Sequence, residues 1–306
     1  MKKRELGKTG LYVSELGLGC MSLGTDALEG RKIIEAALEE GINYFDTADL
    51  YDFGENEKIV GEALKEVREN VIIATKAGNR WNEAKDGWSW DPSKAYIKEA
   101  VKGSLKRLGT DYIDLYQLHG GTLDDPIDET IEAFEELKEE GFIRHYGISS
   151  IRPNVIREYV KRSNIASVMM QYSILDRRPE EAALPLLKEK AISAVVRGPL
   201  AKGMLSDKML GKAPGSVKEN GYLDYSYKEL EDILRHLKEA SGNRSMTELA
   251  FQYVLSSPAV ASVAAGASSA AQVRENARAA AAGPLSAEEL AAIQSISLAN
   301  QYGQHR

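Results

Sequence analysis

Four polar side chains close three aliphatic runs. Asp46 and Tyr51 lie in Phe45-Asp46-Thr47-Ala48-Asp49-Leu50-Tyr51, Lys76 ends Ile72-Ile73-Ala74-Thr75-Lys76, and His119 ends Leu115-Tyr116-Gln117-Leu118-His119. A tyrosine phenol ordinarily titrates at about 10, too high for ready proton transfer at neutral pH. A nearby ammonium favours the phenolate and lowers that value. Lys76 is of the type to supply the charge, and Asp46 to act as its counter-ion. A neutral His119 can donate a hydrogen bond to a carbonyl and orient it. The set suits protonation of a carbonyl oxygen while a hydride reaches the carbon. No side chain supplies a hydride, so the set demands a cofactor. Singly, each residue has a plainer reading: a structural ion pair for Asp46 and Lys76, a satisfied buried histidine for His119, a packing residue for Tyr51. Four such residues at neighbouring strand ends shift the balance towards a site.

Eight short apolar runs read as strands: 16–20, 42–46, 71–75, 112–118, 142–148, 166–171, 192–196 and 259–263. Helix-like stretches lie between them at 28–40, 93–108, 126–140, 154–162, 178–188, 228–240 and 269–282. The first carries Ile33, Ile34, Ala37 and Leu38 on one helical face. The second follows Pro92 and Ser93, a start signal. The third runs from Pro126 to Gly141, the expected start and stop. Nearly continuous apolar strands such as Ile192-Ser193-Ala194-Val195-Val196 suit a parallel sheet covered by helices. Strand–helix alternation allows a closed barrel or a doubly wound open sheet. The count of eight favours the barrel. So does Gly17-Leu18-Gly19-Cys20-Met21-Ser22-Leu23-Gly24, which lacks the third glycine of a dinucleotide-binding turn. The expectation is an α/β fold, an eight-stranded parallel (β/α)8 TIM barrel in one domain, 1–306. An N-terminal β-hairpin around Gly7–Gly10 is expected to plug the barrel's N-terminal end. A capped extra helix follows Pro284. In such a barrel the chemistry sits at the C-terminal strand ends and the loops after them. The long irregular stretch 197–227, after the seventh strand, therefore reads as functional.

The 306-residue chain has a net charge of −7, so no basic surplus exists for nucleic acid. One cysteine, Cys20, permits no intrachain disulfide. The charged N-terminus lacks an apolar signal core, and no run reaches the roughly 20 apolar residues of a membrane helix. The expectation is a cytoplasmic protein with no membrane or nucleic-acid partner. Its four histidines, His119, His145, His236 and His305, show no ligand-spaced pair. A metal-assisted barrel hydrolase or lyase is disfavoured accordingly, and no metal site is expected.

Over essentially its whole length the chain resembles the aldo-keto reductase family, in particular its bacterial and potassium-channel-β-subunit-like branches. The resemblance rests on the Asp46-to-Tyr51 motif, on Lys76 ending the third strand, and on His119 after Leu115-Tyr116-Gln117-Leu118. It implies reduction of aldehydes or ketones to alcohols, with hydride from nicotinamide C4 and a proton from Tyr51. Lys76 would lower the phenol pKa, Asp46 would hold Lys76, and His119 would orient the carbonyl.

The resemblance also implies a cofactor-binding set. Ser149 would hold the carboxamide, with Ser150 standing where asparagine is usual, and Gln171 would join it. Arg197 replaces a stacking tyrosine. Gly198, Pro199, Leu200, Lys202 and Gly203 match the loop over the pyrophosphate. Gly266, Ser268, Gln272 and Asn276 match the adenosine end, and Met21 belongs to the same set. That end lacks the lysine or arginine of the strongest NADPH pattern. NADPH is the implied cofactor, with NADH possible. The partner is a small-molecule carbonyl substrate, in a monomer or weak homo-oligomer. Trp81, Trp88 and Trp90 are candidates for the substrate side, with Tyr172, Tyr222 and Tyr225 as weaker ones. The tail 300–306 is expected over the mouth. The alternative function is a cofactor-binding regulatory subunit of a larger assembly.

Overall fold

In the computed structural model, which describes residues 1–306 apart from the side chain of Lys212, the eight apolar runs become eight parallel strands. They follow a two-stranded hairpin of β1 (Lys3–Glu5) and β2 (Tyr12–Ser14). The chain then runs β3 (Leu16–Gly19), α1 (Ala27–Glu39), β4 (Tyr44–Asp46), α2 (Glu55–Leu64) and β5 (Ile72–Ala77). A second hairpin, β6 (Asn79–Trp81) and β7 (Trp88–Trp90), interrupts the alternation before α3 (Lys94–Leu108). Next come β8 (Ile113–Leu118), α4 (Ile127–Glu139), β9 (Ile143–Ser149), α5 (Pro153–Arg162), β10 (Ser167–Gln171), α6 (Ala183–Lys190) and β11 (Ser193–Arg197). The last part is α7 (Gly215–Asn220), α8 (Tyr227–Ala240), α9 (Met246–Leu255), β12 (Val260–Gly266), α10 (Ala270–Ala281) and α11 (Ala287–Ile296). Strands β3, β4, β5, β8, β9, β10, β11 and β12 close into a barrel, with β12 pairing back on β3. The (β/α)8 barrel expected from the sequence is the observed fold.

Strand parity explains both layers of the core. Tyr44, Ile72, Ala74, Leu115, Met169, Val195 and Ala261 point into the barrel and pack together. Their chain neighbours Phe45, Ile73, Tyr116, Met170 and Val196 point outward and pack in the layer beneath the helices. The N-terminal hairpin delivers Leu6 and Val13 into the inner cluster, both fully buried. The Gly7 N–H donates to Ser193 Oγ at 2.8 Å, which seats the hairpin at the N-terminal strand ends. It plugs the floor, as expected.

Helix starts follow their capping chemistry. Ser93 accepts from the Tyr96 N–H, and Ser226, Ser245 and Ser286 each form a capping box with the glutamate three residues on. Four elements lie outside the sequence expectation: α2, α7, α9 and the β6–β7 hairpin. Most of α9 is buried, leaving no polar face to mark its period. Helix α2 buries Asn56 and Glu57, which breaks the apolar pattern. The helix expected at 178–188 starts instead at Ala183, after a 3-10 turn over Arg178–Glu180.

Candidate active site

Parity also places the polar residues. Asp46 is two residues beyond Tyr44, Lys76 two beyond Ala74, and Gln117 two beyond Leu115, so all three continue the inward rows at the C-terminal end. There they form a polar layer above the apolar one. Lys76 Nζ donates to Asp46 Oδ1 at 2.5 Å and to the Thr47 carbonyl at 2.7 Å. Gln117 Nε2 donates to Asp46 Oδ2 at 3.2 Å. The third contact of Lys76 Nζ is Tyr51 Oη, at 3.4 Å. Tyr51 arrives on the 3-10 turn after β4, and its ring meets that of His119 edge-on, centroids 5.8 Å apart. The turn is strained: Asp52 and Phe53 both adopt left-handed backbone angles, φ 49° and 51°.

Lys76 is wholly buried and Asp46 nearly so. Burial alone would lower the lysine, but Asp46 and the Tyr51 oxygen beside it hold it above its ordinary value. For Asp46, burial pushes the carboxyl up against the pull of Lys76 and Gln117. The two shifts pull in opposite senses, one favouring an ionised pair and the other a neutral acid. The short contact and the further partners on both groups favour the ionised pair. His119 is pushed down to about 3, first by burial and then by the charges of Lys76 and Arg197. It is therefore neutral at physiological pH, and its Nδ1 is buried without a hydrogen-bond partner among the described residues.

Above this layer opens a cavity of about 1080 Å³. Asp46, Tyr51 and His119 line it. So do Met21, Ser149, Ser150, Arg197, Gly198, Pro199, Leu200, Lys202, Gly203, Gly266 and Gln272 from the expected cofactor set. Three members of that set are not in the lining. Gln171 lies behind Arg197 and accepts from its Nη1 at 3.1 Å. Ser268 is turned to Gln272 Oε1, which accepts from its N–H at 2.9 Å. Asn276 is buried and reaches the Gly266 carbonyl at 3.5 Å.

On the opposite wall, Trp88 and Trp90 line the cavity, whereas Trp81 packs edge-on against Phe53 outside it. Tyr172, Tyr222 and Tyr225 are buried away from the cavity. Their hydroxyls bond Glu180, Gln171 and the Leu298 N–H. The tail does not close the mouth. It docks behind the rim, with Tyr302 against Arg178 and the His305 carbonyl accepting from the Asn154 N–H. Gln117, Asn79 and Arg152 are among the polar lining or supporting residues that the sequence reading does not single out. Gln117 carries the parity signal, two residues before His119. Asn79, whose Nδ2 donates to the His119 carbonyl at 3.2 Å, opens the short β6 strand of a hairpin that lies outside the sequence expectation, and Arg152 caps α5 from an irregular turn, so neither carries a signal.

The charge of the cavity bears on what it can hold. Its lining includes Arg152, Arg197 and Lys202, and no ion pair joins these three to a carboxylate among the described residues. The one lining carboxylate, Asp46, is spent on Lys76. A cavity of this volume with unneutralised cations fits an anionic ligand the size of a dinucleotide, and the chemistry of its donors fits phosphate oxygens. No group of three His, Cys, Asp or Glu side chains suited to a metal occurs among the described residues.

Residues 15–298 match the model of the Aldo/keto reductase family. The chain is 61% identical over 306 residues to the oxidoreductase YqkF of Bacillus subtilis, covering all of both chains. It is 35% identical over 301 residues to the NADH-specific methylglyoxal reductase of Escherichia coli, covering 90% of this chain and 92% of that one. The holo form of aldo-keto reductase AKR11C1 from Bacillus halodurans superposes with a TM-score of 0.94 at 62% identity, over 100% of this chain and 99% of that one.

Proposed function

The chain belongs to the aldo/keto reductase family of carbonyl-reducing oxidoreductases, and from that premise we propose that it reduces aldehydes or ketones to alcohols with NADPH, Tyr51 donating the proton. The observation that carries this reading is the contact of Lys76 Nζ with Tyr51 Oη at 3.4 Å, with Asp46 at 2.5 Å on its other side. The nicotinamide, when bound, supplies the hydride to the carbonyl carbon. Tyr51 gives its proton to the oxygen, and the ammonium of Lys76 faces the negative charge left behind. Asp46 and the Thr47 carbonyl fix Lys76 so that it need not reorganise during transfer. Neutral His119 donates a hydrogen bond to the same carbonyl oxygen and orients it.

Ser149, Arg197, the 198–203 turn and the Gly266–Gln272 segment would hold the dinucleotide. Met21 and Ser150 stand at its edges, and Gln171, Ser268 and Asn276 support from behind. NADPH rests on the family resemblance, and NADH remains the alternative donor. Arg274 pairs with Glu39 at 2.9 Å on the surface, and Gly266 and Ser268 bring no cation of their own to the adenosine end. A relative at 35% identity is named as NADH-specific. The whole chain, 1–306, acts as one domain in this reading.

Titration with NADPH and NADH, followed by tryptophan fluorescence, tests the cofactor. Binding of neither overturns the reductase reading. Tyr51→Phe is expected to cut turnover about 10²- to 10⁴-fold, the usual contribution of a positioned proton donor. NADPH affinity should change by less than about twofold, since the ring remains. A variant retaining most of its turnover would remove Tyr51 from the mechanism.

A further inference from the structure

Arg197 stands exposed at the mouth, and its recorded side-chain contact is with Gln171, directly opposite it in the β10–β11 register. What aims Arg197 is therefore what fixes the Gln171 amide. Gln171 Nε2 donates to Asp176 Oδ2 at 2.8 Å and to Tyr222 Oη at 3.2 Å. An ionised carboxylate only accepts, so Asp176 obliges the amide nitrogen to face it and turns Oε1 towards the guanidinium. Reversed, the amide would present N–H groups to a cation. Asp176 is itself fully buried and gripped by Arg178 through two bonds, at 2.7 and 2.8 Å.

The grip continues into the C-terminal segment. The ring of Tyr302 covers the Arg178 guanidinium, with the ring centroid 4.6 Å from it. Next door, Arg177 Nη1 donates to the Ser297 and Gln294 carbonyls at 3.1 Å each, and its N–H donates to Asn300 Oδ1 at 2.8 Å. Asn300 Nδ2 returns a bond to the Leu175 carbonyl at 3.3 Å.

We propose that Asp176 is a positioning residue for the dinucleotide, aiming Arg197 into the mouth through Gln171, and that Tyr302 completes its clamp. The inference rests on the reading of Arg197 as a cofactor contact. It makes the C-terminal segment part of the cofactor grip although no residue of 300–306 lines the cavity.

A double-mutant cycle tests it, with NADPH affinity read by fluorescence quenching. The unmodified chain is titrated first; no binding there fails the reductase reading and this inference together. With binding established, Tyr302→Leu is expected to weaken NADPH about three- to tenfold. In an Arg197→Ala background the same change should cost less than about 1.5-fold, because nothing is left to aim. An equal loss in both backgrounds, or no loss in the first, overturns the proposal while leaving the reductase reading intact. Asp176→Asn, which keeps the shape but removes the obligate acceptor, runs through the same cycle if Tyr302→Leu fails to fold. For this variant KM for NADPH should rise by a larger factor than kcat falls, a split that general loss of structure would not produce.

Discussion

Asp49 lies two residues before Tyr51, is almost wholly buried, and leaves Oδ1 without a partner among the described residues. Its other oxygen accepts from Tyr96 Oη at 3.3 Å. Glu57, also buried, takes Arg107 at 2.6 Å and the Thr75 hydroxyl at 2.5 Å. Burial first, then the charge of Glu57, pushes Asp49 up to about 7. In the unfolded chain it titrates at about 4. Between those values the native state holds a proton that the unfolded state has lost, so the stability contributed by Asp49 is full below about pH 4 and is lost as pH rises through 7. The unmodified chain should therefore lose on the order of 1 kcal/mol per pH unit between pH 5 and 7 relative to Asp49→Asn. Urea midpoints of both chains at the two pH values check this. Parallel pH dependences would mean that Asp49 is ionised throughout.

At the scale of elements, α2 shows how closely the outer layer is fitted. Gly61 abuts the end of α3, and a Cβ there would stand 2.2 Å from the Leu108 carbonyl oxygen. That neighbour is backbone and cannot rotate away. Gly61→Ala should push α2 off α3 and cost about 1–3 kcal/mol, by the usual penalty of overpacking. It should also reduce turnover, since α2 carries Asn56, whose Oδ1 accepts from the Thr47 hydroxyl at 2.7 Å beneath Lys76. Thermal melts and steady-state rates give the two readouts, and a neutral Tm would show that α2 can shift freely. The same helix marks what could be read beforehand. Strand positions were legible because each is an apolar run, and Asp46, Lys76 and His119 because each closes one. Helix α2 was not legible, since it spends interior positions on Asn56 and Glu57 to support the site. Trp81 and the three tyrosines were misplaced for another reason: an aromatic near a strand end packs or lines according to a loop path that no periodicity encodes. The tail was expected over the mouth, but Arg177 and Arg178 draw it behind the rim.

For the molecule as a whole, the barrel is filled from both ends. Its upper layer is the polar set around Lys76, and its lower layer is closed by the hairpin. Leu6 is one of the hairpin's apolar contributions to the inner cluster and is fully buried. Leu6→Ala is expected to cost about 2–5 kcal/mol, the range for a leucine removed from a core that cannot collapse. NADPH affinity per folded molecule should not change, because the floor is remote from the cavity lining. Denaturation and titration of the same sample separate the two. The hairpin also sets Met1 beside Gly41, below the barrel, whereas Arg306 pairs with Glu181 near the rim. The two chain ends thus lie at opposite poles. A purification tag or surface tether joined ahead of Met1 would hang from the sealed pole and leave the mouth facing solution. One joined after Arg306 would pull on the strap that Tyr302 anchors, so the proposed cofactor grip makes the N-terminal handle the one to choose for immobilised protein.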